Sequence, residues 1–318
     1  RKGDNRFKDE EWEQHFLFDF VKQSYLITAR HLHDTVASAE GLDEATQLKV
    51  NFFTRQYIDA LSPSNFALTN PEVFRETVKS HGQNLIKGLN NLLKDVTDDG
   101  QLRIRMTDTS AFEMGKNVAT TPGKVIFQNQ LFQLIQFDPA TPDQYKRPFL
   151  IVPPWINKYY ILDLREKNSM IKWATDQGRT TFVISWVNPD EKLAAKSFED
   201  YLIEGSMEAI SQVCAQTGED SVDMAGYCLG GTLVMTTLAY MAAKKDKRGN
   251  SGTFFTTMLD FSEPGELRVF LDEATVAGLE KKMFARGYHD GGMMAGTFNM
   301  LRANDLIWSF VVNNYLLG

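Results

Sequence analysis

The 318-residue chain is 43% hydrophobic and 24% charged, with a formal net charge of −7. Its length allows one large domain, or one domain with a helical appendage. The acidic balance argues against a nucleic-acid partner, which requires a basic surface. No apolar run reaches the roughly 18 residues of a transmembrane segment, and no N-terminal segment resembles a signal peptide. Because two cysteines, Cys214 and Cys228, are too few for a disulfide framework, we expect a reducing, cytoplasmic setting.

The first hundred or so residues have the spacing of amphipathic helices. Apolar side chains recur three and four residues apart within 50–61, which predicts a helix with one apolar stripe. Asn70 before Pro71 predicts a helix start, because asparagine is a good N-cap and proline suits the first helical position. The helix that begins there carries apolar residues on one side: Val78, Leu85, Leu89, Leu92 and Val96. We therefore predict a helical N-terminal region over residues 1–105.

Strands and helices alternate over residues 106–259. A β-rich run at 131–137 is followed by short apolar runs that predict buried strands, at 149–152, 181–184, 221–225 and 253–259. Helices are predicted between them, one to about Gln177, one over about 198–216 and one after Gly230. Such alternation predicts an α/β protein with a mostly parallel sheet and helices on both faces. From Asp260 onward the period is lost, so residues 260–318 are predicted to be an irregular cap segment outside the sheet.

Residues 226–231 read Gly-Tyr-Cys-Leu-Gly-Gly, a nucleophile elbow with cysteine at the centre. In such an elbow a strand turns sharply into a helix and exposes the central side chain above an α/β-hydrolase sheet. Gly226 and Gly230 leave room for the strand and the helix to approach each other. The backbone N–H of Leu229 then serves as one oxyanion donor. We predict Cys228 as a covalent nucleophile, whereas Cys214 has no glycine neighbours and suits a packed core position.

The segment after the 149–152 strand, Pro153 to Tyr160, is a candidate oxyanion loop. In an α/β hydrolase the loop after the third strand supplies a second oxyanion N–H. The loop precedes the elbow by one βα unit, as that arrangement requires, and its prolines stiffen it. Ile156 and Asn157 are the candidate donors. The alternative is an ordinary loop with aromatic anchors.

The motif at 226–231, continued by Thr232, resembles the polyhydroxyalkanoate (polyester) synthases of bacteria. Further stretches carry the same resemblance: 151–154, 156–164, 256–261, 302–308, and 3–7 together with Trp12. The likeness covers essentially the whole chain. Leu229 after the cysteine and the helical N-terminal region are similar to the single-subunit synthases that make short-chain polyesters such as poly-3-hydroxybutyrate.

The resemblance implies a reaction and a set of partners. A cysteine thiolate would attack the thioester of an (R)-3-hydroxyacyl-CoA, release coenzyme A and pass the acyl group to a growing polyester chain. It also implies a homodimer at the surface of polymer granules in the cytoplasm. No cofactor is implied, and no histidine and acid cluster has the spacing of a metal site.

The thiol needs a base, and the sequence leaves the base open. The family's catalytic aspartate and histidine belong to segments that fall after Gly318, so we expect this chain alone to be weak or inactive. On chain order Cys228, Asp260 and His289 could form an internal series, although the surroundings of His289 are similar to the family's cap. Histidines at 15, 31, 33 and 81 fit surface or packing positions.

Two other functions remain open at this stage. The first is a cysteine-type esterase, thioesterase or polyester depolymerase on the same scaffold, since hydrolysis and acyl transfer differ only in the group that attacks the acyl enzyme. The second is a non-enzymatic fragment that binds coenzyme A or dimerises. Formation of insoluble polymer, rather than free acid, distinguishes a synthase from a hydrolase.

Overall fold

The computed structural model of the chain describes residues 4–97, 100, 102–289 and 291–318. Gly3, in the opening motif, and Asp290, beside His289, lie outside the described residues. The described residues fall into two compact units. The first comprises residues up to 108 together with 265–277 and 291–318, and the second comprises 109–264 and 278–289. Among the described residues no helix has the length and apolar character that crossing a bilayer requires.

The N-terminal region is helical, as its apolar spacing predicts. Its helices are α1 (Glu11–Gln14), α2 (Phe16–Ala37), α3 (Glu44–Ala60), α4 (Pro71–Lys79) and α5 (Gln83–Asp95). The Asn70 side chain accepts hydrogen bonds from Glu72 and Val73, so the predicted N-cap is confirmed. The single helix expected from Pro71 to Val96 is wrong. It breaks between α4 and α5, because His81 and Gly82 adopt positive φ values of 52° and 82°, which no α-helix contains.

Six strands form one sheet in the second unit. They are β1 (Gly123–Gln128), β2 (Phe132–Phe137), β3 (Tyr145–Val152), β4 (Arg179–Trp186), β5 (Val222–Tyr227) and β6 (Gly249–Phe255). The spatial order is β1-β2-β4-β3-β5-β6. Strands β4, β3, β5 and β6 pair in parallel, whereas β2 is antiparallel to β1 and β4. The mostly parallel sheet predicted from the alternation is confirmed.

Helices cover both faces of this sheet. They are α6 (Met170–Asp176), a helical stretch made of α7 (Phe198–Asp200), a π-helical turn (Tyr201–Met207) and α8 (Glu208–Thr217), and α9 (Leu229–Ala243). Ile151 and Val183 pack with Ile171 of α6. Their sequence neighbours Leu150 and Phe182 join the other hydrophobic cluster, which contains buried residues of α8 and α9. Because adjacent strand residues face opposite sides, α6 lies on one face and α8 and α9 lie on the other.

Two predictions about the C-terminal third are wrong. The last strand, expected at 253–259, is β6 at Gly249–Phe255. Its apolar signal is weak because Gly252 packs without a side chain against Leu238, and Thr256, at φ 44°, ends it. Residues after 260, expected to be irregular, form α10 (Glu273–Arg286), α11 (Gly291–Leu301), α12 (Ser309–Val311) and π-helical turns at Asn304–Trp308 and Val312–Leu317. Neither α10 nor α11 has a buried residue.

Candidate active site

Cys228 lies at the sharp turn between β5 and α9. β5 ends at Tyr227 and α9 begins at Leu229, so the cysteine alone makes the connection. Its backbone has φ 53° and ψ −123°, a region that residues with a side chain rarely occupy and that stores strain at functional sites. The turn has the geometry of the nucleophile elbow that the glycine spacing predicts, and with the sheet it gives the α/β-hydrolase fold.

Three glycines allow this turn to close. A Cβ on Gly226 would lie 2.3 Å from the Cα of Gly231. A Cβ on Gly230 would lie 2.0 Å from the carbonyl oxygen of Val152, at the end of β3. A Cβ on Gly231 would lie 1.9 Å from Oγ1 of Thr257. All three distances are shorter than any non-bonded carbon contact, so β5, α9, β3 and the segment after β6 approach one another only because these residues lack side chains.

Backbone hydrogen bonds fix the position of the cysteine. The Cys228 N–H donates to the carbonyl of Phe255, the last residue of β6, at 3.0 Å. The Cys228 carbonyl accepts from Gly231 at 2.9 Å and from Thr232 at 3.2 Å. The N–H of Leu229 has no acceptor among the described residues. As the first residue of α9 it adjoins the half-buried cysteine and is available to an oxygen at the positive end of the helix dipole.

Residues 153–157, which we call the oxyanion loop, begin against this helix. Gly230 would meet the backbone of Pro153 at 2.8 Å if it had a Cβ. The N–H of Asn157 donates to the carbonyl of Pro154 at 3.3 Å, which closes a turn. The N–H of Ile156 has no acceptor in the part of the chain that the structure describes. Of the two candidate donors, Ile156 is therefore the available one.

No base is hydrogen-bonded to the candidate nucleophile within the described residues. The thiol of Cys228 makes no hydrogen bond to any of them. The Asp260 carboxylate instead accepts from the amide of Ser262 at 2.9 Å, and this bond holds the pKa of Asp260 below its ordinary value. Neither Cys228 nor Asp260 has a hydrogen bond to the ring of His289 in the described structure. The internal series of Cys228, Asp260 and His289 is not assembled.

The second cysteine has a different environment. Cys214 lies half-buried on α8 and packs against the main hydrophobic cluster. Burial raises the pKa of its thiol, although Arg248 nearby acts in the opposite direction. A thiol with a raised pKa is a poor nucleophile at neutral pH. This agrees with the prediction that Cys214 is a packing residue.

Trp186, which the sequence does not indicate, lies beside the candidate oxyanion loop. Its indole Nε1 donates to the carbonyl of Pro153 at 2.7 Å. The side chain is buried at the end of β4 and contacts Tyr201 at a ring-centroid distance of 5.3 Å. The two partners of the hydrogen bond are 33 residues apart, so no local spacing in the sequence reveals it.

Comparison with known proteins supplies the family. The family described as Poly-beta-hydroxybutyrate polymerase (PhaC) N-terminus matches residues 3–174. The chain belongs to this family. The resemblance predicted from the sequence motifs is therefore confirmed at the level of the family.

Several curated relatives match over nearly the whole chain. A Poly(3-hydroxyalkanoate) polymerase of Methylorubrum extorquens is 52% identical over 99% of this chain and 52% of its own length. The Poly(3-hydroxyalkanoate) polymerase subunit PhaC of Cupriavidus necator is 40% identical over 99% of this chain and 54% of its own length. The chain thus spans about half the length of the curated relatives it matches.

Two solved structures align with this chain at low sequence identity. An esterase B from Lactobacillus rhamnosis aligns over 76% of this chain and 70% of its own, with 14% identity and a TM-score of 0.33. A brefeldin A esterase aligns over 55% of this chain and 45% of its own, with 14% identity and a TM-score of 0.27.

Proposed function

We propose that the protein is a polyhydroxyalkanoate synthase, an acyltransferase in which Cys228 is the covalent nucleophile and an (R)-3-hydroxyacyl-CoA is the substrate. One observation carries the assignment of the nucleophile. Cys228 is held at φ 53° on the β5–α9 turn, directly before the N–H of Leu229, which has no acceptor among the described residues. Membership of the PhaC family supports the substrate class, since the relatives named above are polymerases of 3-hydroxyalkanoates.

The first half-reaction forms an acyl enzyme. The Cys228 thiolate attacks the thioester carbonyl, a new C–S bond forms, and the carbonyl electrons move to the oxygen. The N–H groups of Leu229 and Ile156 then stabilise the oxyanion, as fixed donors do in other acyl transfers. Collapse of this intermediate breaks the C–S bond to coenzyme A, which leaves as a thiolate and takes up a proton.

The second half-reaction extends the polyester. A hydroxyl of the growing chain or of a second 3-hydroxyacyl group attacks the acyl enzyme and forms an ester, and its proton leaves with the base. The cysteine thiolate is released for the next cycle. A thioester on the enzyme resembles the thioester of the substrate in energy, so the first step is close to balanced. The general base of both steps is left unassigned by this proposal, because no described histidine is hydrogen-bonded to Cys228.

The proposal includes a setting carried over from the family resemblance. The protein would act as a homodimer at the surface of polymer granules in the cytoplasm, with the growing polyester as its second partner. The division into a helical region (1–105), a core (106–259) and a cap segment (260–318) belongs to the same proposal.

Replacing Cys228 by alanine in the full-length protein encoded by the gene should abolish acyl-enzyme formation. We expect the release of coenzyme A from 3-hydroxybutyryl-CoA to fall by at least about 10³-fold, as it does when other covalent nucleophiles are removed. Mass spectrometry of the trapped enzyme should place the acyl adduct on Cys228. The matched control is Cys214→Ala, which should keep the adduct and the rate. An adduct on Cys214, or free 3-hydroxybutyrate instead of insoluble polymer as the main product, contradicts the proposal.

A further inference from the structure

The carbonyl of the first residue after β3 accepts a hydrogen bond from one side chain. Trp186, the last residue of β4, donates its indole N–H to the carbonyl of Pro153 at 2.7 Å. Both groups are buried. Pro153 lies beyond the end of β3 at Val152, so its carbonyl is outside the strand ladder. A buried carbonyl without a donor is destabilising, and this indole is the donor that the described residues provide.

The position of this carbonyl affects both halves of the candidate site. On one side, Gly230 of α9 lies so close that a Cβ would be 2.8 Å from the carbonyl oxygen of Pro153. On the other side, the carbonyl is three residues from Ile156, and the peptide between them includes Pro154, whose φ angle the ring fixes. A rotation of the Pro153 peptide therefore moves the segment that carries the Ile156 N–H. The close approach of Gly230 limits how far the Pro153 peptide can rotate.

Aromatic rings contact the indole, and a glycine on the neighbouring helix leaves space for it. Its ring centroid lies 5.3 Å from that of Tyr201 and 5.9 Å from that of Phe132. Gly205, in the π-helical turn, would place a Cβ 2.8 Å from Cη2 of Trp186. The π-helical turn thus leaves space for the far edge of the indole, while the pyrrole N–H faces the oxyanion loop. π-helical turns within α-helices are frequent at functional sites.

We propose that Trp186 is a positioning residue for the oxyanion loop: through its hydrogen bond to Pro153 it fixes the loop backbone, and with it the Ile156 N–H, relative to Cys228. Trp186 contacts no reacting atom in this proposal. The inference rests on the proposed function, because it gives Trp186 a role only if acyl transfer occurs at Cys228. Its effect is expected on the step in which an oxyanion forms.

The test is Trp186→Phe in the full-length protein, which keeps a ring in the cluster and removes the donor. We expect kcat for coenzyme A release from 3-hydroxybutyryl-CoA to fall by about 10- to 100-fold, with KM changed by less than about 3-fold, because a small displacement of a catalytic donor reduces rates to this extent. The matched control is Trp173→Phe, since Trp173 is exposed on α6. That variant should keep the wild-type kcat.

A second measurement distinguishes a displaced oxyanion loop from a general loss of reactivity at Cys228. Alkylation of Cys228 by iodoacetamide, measured in a Cys214→Ala background, displaces iodide and forms no oxyanion. We expect its rate in Trp186→Phe to stay within about 2-fold of the parent, because the elbow and its thiol are unchanged while acyl transfer slows. A second variant, Gly205→Ala, keeps the indole N–H but crowds its ring, and should lower kcat in the same selective way.

Three results overturn the inference. They are a wild-type kcat in Trp186→Phe, an equal loss of alkylation and acyl transfer, and, if Trp186→Phe does not fold, a wild-type kcat in Gly205→Ala. The two proposals are tested by different quantities. The acyl adduct on Cys228 in the wild-type enzyme tests the function, and the ratio of variant to wild-type rates tests the positioning role.

Discussion

Cys228 occupies a backbone conformation that is unfavourable by about 1–3 kcal/mol for a residue with a side chain. The surrounding contacts hold it there. The Cys228 N–H is bonded to Phe255 of β6, and its carbonyl accepts bonds from Gly231 and Thr232 of α9. These hydrogen bonds with β6 and α9 offset the strain. They form only because glycines let the backbones of the elements approach each other.

Gly230→Ala should therefore damage both stability and activity. Its Cβ would lie 2.0 Å from the oxygen of Val152, so α9 or the end of β3 must shift. We expect the free energy of unfolding to fall by about 1–3 kcal/mol and the release of coenzyme A to be lost.

Gly278→Ala is the control, because a Cβ at this position in α10 would meet nothing within 4 Å. That change should raise stability by about 0.5–1 kcal/mol, since alanine is the better helix former. Denaturant titration measures both variants. An unchanged unfolding midpoint in Gly230→Ala contradicts the argument.

At the scale of single residues, the sequence predicts the features that depend on spacing between neighbours along the chain. The glycines around Cys228 predict the elbow because strand, turn and helix are consecutive along the chain. The preference for Ile156 over Asn157 could not be predicted, because it depends on a turn that engages the Asn157 N–H. Trp186 could not be predicted either, since its partner Pro153 lies 33 residues away, in the loop after β3.

At the scale of secondary structure, α5 buries a different face from the one its apolar residues predict. The buried residues of this helix are Asn84, Gly88 and Asp95, whereas Leu89 is 55% exposed. The buried face meets the π-helical turn Val312–Leu317. The side-chain amide of Asn84 donates to the carbonyl of Leu316 at 2.8 Å. Asn84 and Asp95, eleven residues apart, form a packing face together with Gly88, which has no side chain. Apolar periodicity does not detect such a face.

A buried side-chain hydrogen bond on this face joins Tyr315 and Asp95. The Tyr315 hydroxyl donates to the Asp95 carboxylate at 2.8 Å, and both groups are buried. Burial and the bond to Asp95 raise the pKa of Tyr315. Burial also acts to raise the pKa of Asp95, but the bonds from Tyr315 and Arg105 outweigh it, and the pKa of Asp95 lies below its ordinary value. The neutral phenol of Tyr315 and the ionised carboxylate of Asp95 therefore stabilise each other.

Tyr315→Phe should lower the free energy of unfolding by about 1–3 kcal/mol near neutral pH, because Asp95 stays buried with one donor fewer. The raised pKa of Tyr315 means that its contribution is full below the unfolded value of about 10 and is lost as pH rises towards the folded value. The lowered pKa of Asp95 means that its contribution is present above about 3.9 and is lost as pH falls towards the folded value.

The measured quantity is the difference in unfolding free energy between the wild type and Tyr315→Phe as a function of pH. It should be constant between about pH 5 and pH 9 and should shrink outside that range. Tyr57→Phe is the control, because Tyr57 is 60% exposed and has no side-chain hydrogen bond within the described structure. A difference that stays constant to about pH 11 would show that the Tyr315–Asp95 bond does not stabilise the fold.

At the scale of the whole molecule, buried side chains are unevenly distributed along the chain. β3 and β4 each have a strand on both sides, and each contains at least four buried residues. α10 and α11 have none. The sequence predicted this contrast in part, since the apolar runs ended before 260. It did not predict helices there, although apolar residues recur three and four residues apart in α10 (Val276, Leu279, Met283) and in α11 (Met294, Phe298, Leu301).

Hydrogen exchange should therefore separate the proposed cap segment from the sheet. Opening α10 or α11 exposes little apolar surface, so local opening costs little, whereas releasing β3 or β4 breaks two ladders and exposes the core. We expect amide protection at 149–152 and 181–184 to exceed that in Glu273–Arg286 and Gly291–Leu301 by at least about 100-fold. α9, which contributes six buried residues, serves as the internal control for a helix and should exchange as slowly as the strands. If α10 and α11 are as protected as α9, the segment after 260 is part of the stable core, and the proposed boundary at 259 is wrong.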